Sequence, residues 1–170
     1  MSDPLFVLDR LRKAFNRHDL DTLAQCFSPR AVLVAPDGIG EDREEIASYY
    51  GQFMEAFPDS RCTPQTVTVL GDTLIAEYTL TGVHKGPWLM PGGGIVEPTS
   101  RPITVRACSL SFVEDGFIVS HRIFYDQFEL AAQLGGRLSF DECEDEPLSD
   151  GGPPEMSLRP PTPVRVAGLM

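Results

Sequence analysis

The spacing of apolar residues changes once along this chain, and that change limits the folds it can adopt. Up to about Phe57 apolar side chains recur three and four residues apart, which is typical of amphipathic helices. From Cys62 to Asp126 they alternate with polar residues, as in half-buried β-strands. Helices followed by a run of antiparallel strands indicate an α+β domain rather than one built from βαβ units.

Three helices are predicted before the main run of strands. The first runs from about Pro4 to Asn16, and Asp19 suits the N-cap of a second, short helix that Pro29 ends. The third follows Asp42, where an acidic cap and a glutamate three residues on resemble a capping box, and it closes at Pro58.

The strands predicted from alternation cover residues 31–34, 62–70, 73–84, 103–113 and 117–126, and a last short helix covers residues 127–134. Segment 85–101 interrupts them with four glycines and three prolines, either as a lid over a site or as a long hairpin connection. We therefore expect one domain over residues 4–137: a cone-shaped, curved antiparallel sheet that about three N-terminal helices and a short C-terminal helix close around one pocket.

Charge is concentrated at the end of the chain. Of the net charge of −11, residues 141–170 contribute seven acidic and two basic side chains, together with six prolines and no apolar period. This composition predicts a disordered acidic tail over residues 138–170. The rest has no stripe of lysine and arginine, which argues against nucleic acids and against anionic membranes as partners.

The sequence has few signals for membrane insertion, secretion, disulfide bonds, metal sites or cofactors. No apolar run approaches the roughly 20 residues of a membrane span, and the N-terminus lacks a secretory pattern, so a cytoplasmic location is predicted. The four cysteines form no C-x-x-C pair and the three histidines stand apart, so we expect reduced thiols and no metal site. No cofactor motif is present: the one glycine run, 92–94, does not lead into a helix.

Short motifs then follow one another over residues 5–136: Phe15-Asn16-Arg17-His18-Asp19-Leu20-Asp21, Asp37-Gly38 with its helix, Ala56-Phe57-Pro58-Asp59, Thr81-Gly82-Val83-His84-Lys85-Gly86, Val113-Glu114-Asp115-Gly116 and Phe124-Tyr125-Asp126-Gln127. In this order they resemble the SnoaL-like polyketide-cyclase and ester-cyclase group of the nuclear-transport-factor-2-like superfamily. The resemblance implies a cone fold, commonly dimeric, with a deep pocket. Relatives cyclise polyketides, isomerise steroids, hydrolyse epoxides, dehydrate small molecules or only bind ligands, so the residues must decide.

Asp126 is the first catalytic candidate. The resemblance places the general acid/base aspartate of the cyclases here, and a carboxylate in an apolar pocket has a raised pKa suited to proton transfer. Residues 126–129 also fit a capping box for the last helix, and a cap residue can do both.

His84 is the second catalytic candidate, because alternation puts it on the more apolar face of its strand, where it suits hydrogen bonding to a carbonyl oxygen. The alternative is a strand-end histidine bonded to the following loop. Ser109 lies on the small face of strand 103–113 and is predicted to donate to a ligand oxygen, unless it only fills space. The other predicted ligand contacts are Arg122 and Phe124, on the face of Asp126, and the aromatic residues Tyr49, Phe53 and Trp88, for which core packing is the default.

Several residues of the relatives are absent here, and their absence counts against ketosteroid-isomerase and epoxide-hydrolase chemistry. Ketosteroid isomerases place a base aspartate where this chain has Ala35, and their oxyanion-hole aspartate aligns with Ser109. Strand 103–113 has neither the aspartate of the epoxide hydrolases of this fold nor the histidine that polyketide cyclases often pair with their aspartate.

The prediction is therefore a cofactor-independent enzyme of cyclase or isomerase type, which acts on a hydrophobic, polyketide-like carbonyl compound by aspartate general acid/base catalysis. The alternative is a non-catalytic protein of the same fold, either a small-molecule binder or an accessory protein whose acidic tail meets a basic partner. A homodimer is expected through the half-apolar face of Thr104, Arg106, Cys108, Leu110 and Phe112.

Overall fold

The computed structural model describes residues 4–90 and 94–137, so the acidic tail predicted for residues 138–170 lies outside the described residues. The α+β class predicted from the sequence is confirmed. The elements in chain order are α1 (Pro4–Asn16), α2 (Leu20–Ala24), β1 (Phe27–Ala35), β2 (Gly38–Gly40), α3 (Arg43–Ala56), β3 (Arg61–Leu70), β4 (Thr73–Val83), β5 (Trp88–Leu89), β6 (Ile95–Val96), β7 (Pro102–Glu114), β8 (Phe117–Tyr125) and α4 (Gln127–Gln133).

Side-chain caps fix where two of the early helices begin. The Asp19 carboxylate accepts the Thr22 backbone N–H at 3.0 Å, and the Asp42 carboxylate accepts the Glu45 N–H at 2.8 Å. Each bond satisfies an amide that the first helical turn leaves without an intrahelical acceptor. The Glu45 side chain accepts the Glu41 N–H at 2.9 Å, one residue before the expected capping-box partner.

Six strands form one curved sheet in the order β2-β1-β8-β7-β4-β3. The expectation of an all-antiparallel sheet is wrong at one place, because β1 and β8 pair in parallel. The first strand is also longer than predicted, since α2 ends at Ala24 and β1 already includes Pro29. That proline is tolerated because the β1–β8 register breaks between Phe27 and Val32.

The pairing of β7 with β8 contains a bulge that decides which side chains face the helices. Val113 pairs with Ile118, but Phe112 pairs with Ser120, so β8 holds one extra residue. Beyond this point Ser111 lies opposite His121. A bulge of this kind shifts every later residue of the strand to the other face.

Helices α1 and α3 cover the concave face of the sheet, and the main core lies between them. Phe27, Leu33, Ile46, Leu74 and Ile118 are fully buried there. Burial of such a side chain contributes about 1.5–3 kcal/mol each to folding. The core is incomplete, however, because the space between α1, α3 and the middle strands is left open as a cavity.

Segment 85–101 is a short hairpin in its described part, with β5 and β6 paired through Trp88 and Val96. Its base is fixed to the domain, since the N–H groups of Lys85 and Gly86 donate to the Ala56 carbonyl at 2.9 and 3.1 Å. Only glycine fits at position 86, where a Cβ would overlap the Glu55 carbonyl.

Candidate functional site

A cavity of about 340 Å³ lies between α1, α3 and the concave face of the sheet. Its wall is mainly apolar and comes from seven elements, with Leu8, Phe15, Phe53, Val67, Leu80, Val105, Ile123 and Leu130 among its residues. Leu5 and Val67 line it and are about 40% exposed, so the cavity meets solvent between α1 and β3. Val105, Ser109 and His121 are almost completely buried and form its inner part.

A histidine–serine pair lies at the inner part of the cavity. Ser111 Oγ is 2.8 Å from His121 Nδ1, and both residues are at most 2% exposed. Burial lowers the pKa of His121 to about 4, so the ring is neutral near pH 7. The Phe27 ring backs it in an edge-to-face arrangement, with the centroids 5.8 Å apart. No motif or spacing in the sequence pointed to this histidine.

A second polar group joins α3 to the loop after β1. The Tyr49 hydroxyl donates to Asp37 Oδ1 at 2.9 Å, and the Tyr125 phenol interacts with the same carboxylate. Both tyrosines line the cavity, while Asp37 lies behind them and is half-buried. Burial first, and the Asp37 charge second, raise the pKa of both phenols, which therefore stay protonated. In the sequence, Asp37 stood out only as part of a motif that carries the family resemblance.

Two of the charged lining side chains, Asp9 and Arg12, belong to α1, and a third, Glu77, belongs to β4. Asp9 pairs with Arg12 and with Lys13, each with a nitrogen–oxygen distance of 2.6 Å. The hydrogen bond from Lys13, followed by that from Arg12, lowers the pKa of Asp9. Arg12 is the sole cationic side chain among the described cavity-lining residues, and this pairing offsets its charge.

Three of the predicted ligand contacts line the cavity. Tyr49 and Phe53 reach it from α3, and Ser109 reaches it from β7. Ser109 is 1% exposed and lies beside the Tyr78 phenol, whose pKa is raised by burial. Val105, on the same face of β7, also lines the cavity.

Three other predicted site residues, Asp126, Arg122 and Phe124, share one face of β8, but it is the face turned away from the cavity. All three are exposed, and Phe124 and Asp126 line a polar groove on the outer side of the sheet. Asp126 is the N-cap of α4, where its carboxylate accepts the N–H groups of Phe128 at 2.8 Å and Glu129 at 3.1 Å. The assumed face of β8 is therefore corrected, because the bulge turns these residues outward.

His84 and Trp88 also lie outside the cavity lining. His84 is fully buried, with Phe57 and Trp88 rings at centroid distances of 5.3 and 6.5 Å. Its Nδ1 accepts the Thr99 N–H at 3.1 Å, so it joins the two ends of segment 85–101. Burial lowers its pKa, and the Gly86 carbonyl partly opposes that shift. β4 ends at Val83, so His84 follows the strand, and the rings of Phe57 and Trp88 contact both this histidine and the cavity-lining Phe53.

Residues 4–90 and 94–137 hold no cluster of three or more histidine, cysteine or acidic residues placed to bind a metal ion. The cysteines of this part of the chain, at positions 26, 62 and 108, are free thiols. No helix within these ranges is long and apolar enough to cross a membrane.

Comparisons with known proteins agree with this architecture. The family model of the SnoaL-like domain matches residues 8–121. IdmH from Streptomyces antibioticus, a proposed polyketide cyclase, is 31% identical with a TM-score of 0.66, over 79% of this chain and 99% of that chain. The comparison with curated protein sequences returns no match.

Two more distant structures show the same fold. A proposed SnoaL-like polyketide cyclase from Jannaschia sp. CCS1 is 22% identical with a TM-score of 0.70, over 79% of this chain and 93% of that chain. AclR from Streptomyces galilaeus, a proposed hydroxylase, is 21% identical with a TM-score of 0.67, over 78% and 80% of the two chains. The domain match and the IdmH similarity together assign the family: this chain belongs to the SnoaL-like domain family.

Proposed function

We propose that this protein is a cofactor-independent enzyme of cyclase or isomerase type that moves a proton on a hydrophobic, polyketide-like carbonyl compound. The observation that carries the proposal is the apolar cavity, whose polar groups are confined to a few separate points on its wall. Such a site excludes water from most of a ligand and directs hydrogen bonds at selected atoms. The similarity to IdmH supports the same class of chemistry.

Within this proposal Asp37 is the general base. The Tyr49 phenol faces the cavity and donates to Asp37 at 2.9 Å, so it can pass its proton to the carboxylate while its oxygen takes one from carbon. A carbon between two carbonyl groups is acidic enough for a carboxylate base, which needs no metal ion for this step. The enolate then forms its new bond, or rearranges, and the proton returns to the product by the reverse path.

Asp126, which the family resemblance implies as the acid/base, is not chosen for this role. Its exposed carboxylate is already engaged by two backbone N–H groups of α4, and Asp126 is not among the residues that line the cavity. The proposed mechanism still uses an aspartate as the general base, but this aspartate is Asp37, which the Tyr49 hydroxyl joins to the cavity.

The test is deuterium exchange into 2-tetralone, a fused-ring ketone with exchangeable protons beside its carbonyl, followed by NMR. We expect the protein to accelerate exchange, and a Val105→Phe variant that fills the cavity to lose at least about nine-tenths of that acceleration. Val69→Phe, the same change at an exposed position of β3 outside the cavity, should retain it. Binding of 2-tetralone without any exchange would replace the enzyme by a non-catalytic ligand-binding protein.

We further propose a homodimer through the outer face of the sheet. Exposed apolar side chains on this face favour burial against a second copy: Val32, Val34, Ile75, Phe112 and Phe124, with Leu110 half-buried among them. Light scattering at micromolar concentration should give twice the mass of the chain. Phe124→Asp should yield monomers, whereas Phe6→Asp, a matched change on α1, should not. A monomeric wild type would contradict this arrangement.

A further inference from the structure

His121 stands out as a buried polar side chain on the cavity wall that the acid/base step does not use. It is 2% exposed, it belongs to the inner part of the cavity, and its ring is held on one side by Ser111 and on another by Phe27. The Ser111 bond occupies Nδ1. The remaining ring nitrogen, Nε2, is the one that a ligand in the cavity can meet.

The hydrogen-bond partners of Ser111 decide which ring nitrogen carries the proton. Among the described residues, His121 Nδ1 is the single hydrogen-bond partner of the Ser111 hydroxyl. If Nδ1 carried the proton, the hydroxyl hydrogen would be buried without an acceptor, which is unfavourable. The serine is therefore the donor, Nδ1 accepts, and the imidazole carries its proton on Nε2, the ring nitrogen that Ser111 does not occupy.

The residues around His121 favour a neutral hydrogen-bond acceptor over a charged one. No charged side chain contributes to the lowered pKa of His121, which burial alone explains, so the ring is a neutral donor near pH 7. A carboxylate placed here would be buried without a countercharge, because Arg12 sits near the solvent end and is paired with Asp9. A neutral carbonyl oxygen can accept the bond without that penalty.

The wall beside the pair favours a flat ligand. Three aromatic rings line the cavity together: Phe15, Tyr50 and Phe53. The centroid of the Phe15 ring lies 6.1 Å from the centroid of each of the other two rings. Aromatic rings stack against planar molecules more favourably than against branched ones of equal size. The small residue Ser109 leaves space next to them on β7.

We propose that the inner part of the cavity is a binding subsite for the carbonyl oxygen of a neutral, planar, fused-ring ketone or quinone, with His121 Nε2–H as the hydrogen-bond donor and Ser111 as the residue that fixes its tautomer. The inference rests on the proposed function for its assumption that the cavity takes a carbonyl compound. In the reaction, the same bond strengthens as negative charge develops on the oxygen.

The test compares fluorenone with fluorene, which has the same three rings but no carbonyl group. For the wild type we expect a lowered carbonyl stretching frequency of bound fluorenone in the infrared spectrum. His121→Leu should weaken fluorenone binding about three- to tenfold and leave fluorene unchanged, as expected for one lost hydrogen bond. Thr68→Ala, at an exposed position of β3 outside the cavity, is the control and should keep the frequency shift.

Long-range proton–nitrogen NMR of the wild type tests the tautomer without any variant. We expect the proton on Nε2, and a mixture of tautomers in Ser111→Ala. A proton on Nδ1, equal effects of His121→Leu on both ligands, or no binding of either ligand would overturn the subsite. These binding readouts do not depend on turnover, so loss of the subsite and failure of the proposed proton transfer are separate results.

Discussion

Asp37→Asn is expected to reduce the proton-transfer rate about a hundredfold or more, which is the usual contribution of a well-placed general base. Asparagine keeps an oxygen that can accept the Tyr49 hydroxyl, at present 2.9 Å from Asp37 Oδ1. The loop after β1 should therefore stay in place, with a loss of stability below about 1 kcal/mol. Ketone binding should also survive, because Asp37 is not a lining residue. Deuterium exchange and equilibrium binding, measured on the same preparation, separate the two effects.

Asp126→Asn is the matched control for this experiment. Asparagine is as good an N-cap as aspartate, so α4 should keep its hydrogen bonds to Phe128 and Glu129 and the fold should be retained. We expect the exchange rate to stay within about twofold of the wild type. If this variant instead loses about a hundredfold while Asp37→Asn does not, the base is the aspartate that the family resemblance implies, and the reaction takes place at the outer groove.

Local sequence signals were sufficient for the helices and for most strands. Asp19 and Asp42 cap helices where an acidic residue precedes an apolar stripe, and Gly135 ends α4 in the left-handed conformation expected of a glycine there. The parallel pairing of β1 with β8 could not be read in the same way, because it joins segments about 90 residues apart with no local turn between them.

The site was missed for a specific reason, the bulge at the start of β8. Without it, the turn at Asp115-Gly116 would set Ser111 opposite Ser120, and Arg122, Phe124 and Asp126 would face the cavity. The extra residue shifts the register by one, so that His121 faces inward opposite Ser111 instead. Neither Val119 nor Ser120 is a glycine, and nothing else in the sequence there indicates a bulge. Alternation alone therefore placed Arg122, Phe124 and Asp126 on the cavity face.

The link between Asp37 and the cavity also could not be predicted from the local sequence. In the sequence Asp37 reads as half of an Asp-Gly turn, and its link to the cavity exists only because α3 returns Tyr49 across that turn. The proposed mechanism thus uses a carboxylate two residues after Ala35, the position at which ketosteroid isomerases place their base aspartate.

Acid should destabilise the fold through His121, by up to about 3 kcal/mol. The pKa of the ring is lowered from 6.5 to about 4 in the folded protein, and each pKa unit corresponds to about 1.4 kcal/mol. Between these two values the unfolded chain binds a proton that the folded protein excludes. The contribution is therefore complete above about pH 6.5 and is lost as the pH falls to about 4. His84, whose pKa is also lowered, adds to the loss in the same direction.

Urea unfolding of the wild type and of His121→Gln, at several pH values from 7 to 4, measures this contribution. Carboxyl groups titrate in the same range, so the informative quantity is the difference in pH dependence between the two proteins. Because Gln does not ionise, the variant should lose less stability on acidification, and the two unfolding free energies should converge at low pH. Ser109→Ala, a change on the same wall at a group that does not titrate, should keep the wild-type pH dependence. Parallel pH dependence in wild type and His121→Gln would mean that His121 accepts a proton in the folded protein, and that a cavity with a neutral donor at its inner end is the wrong description.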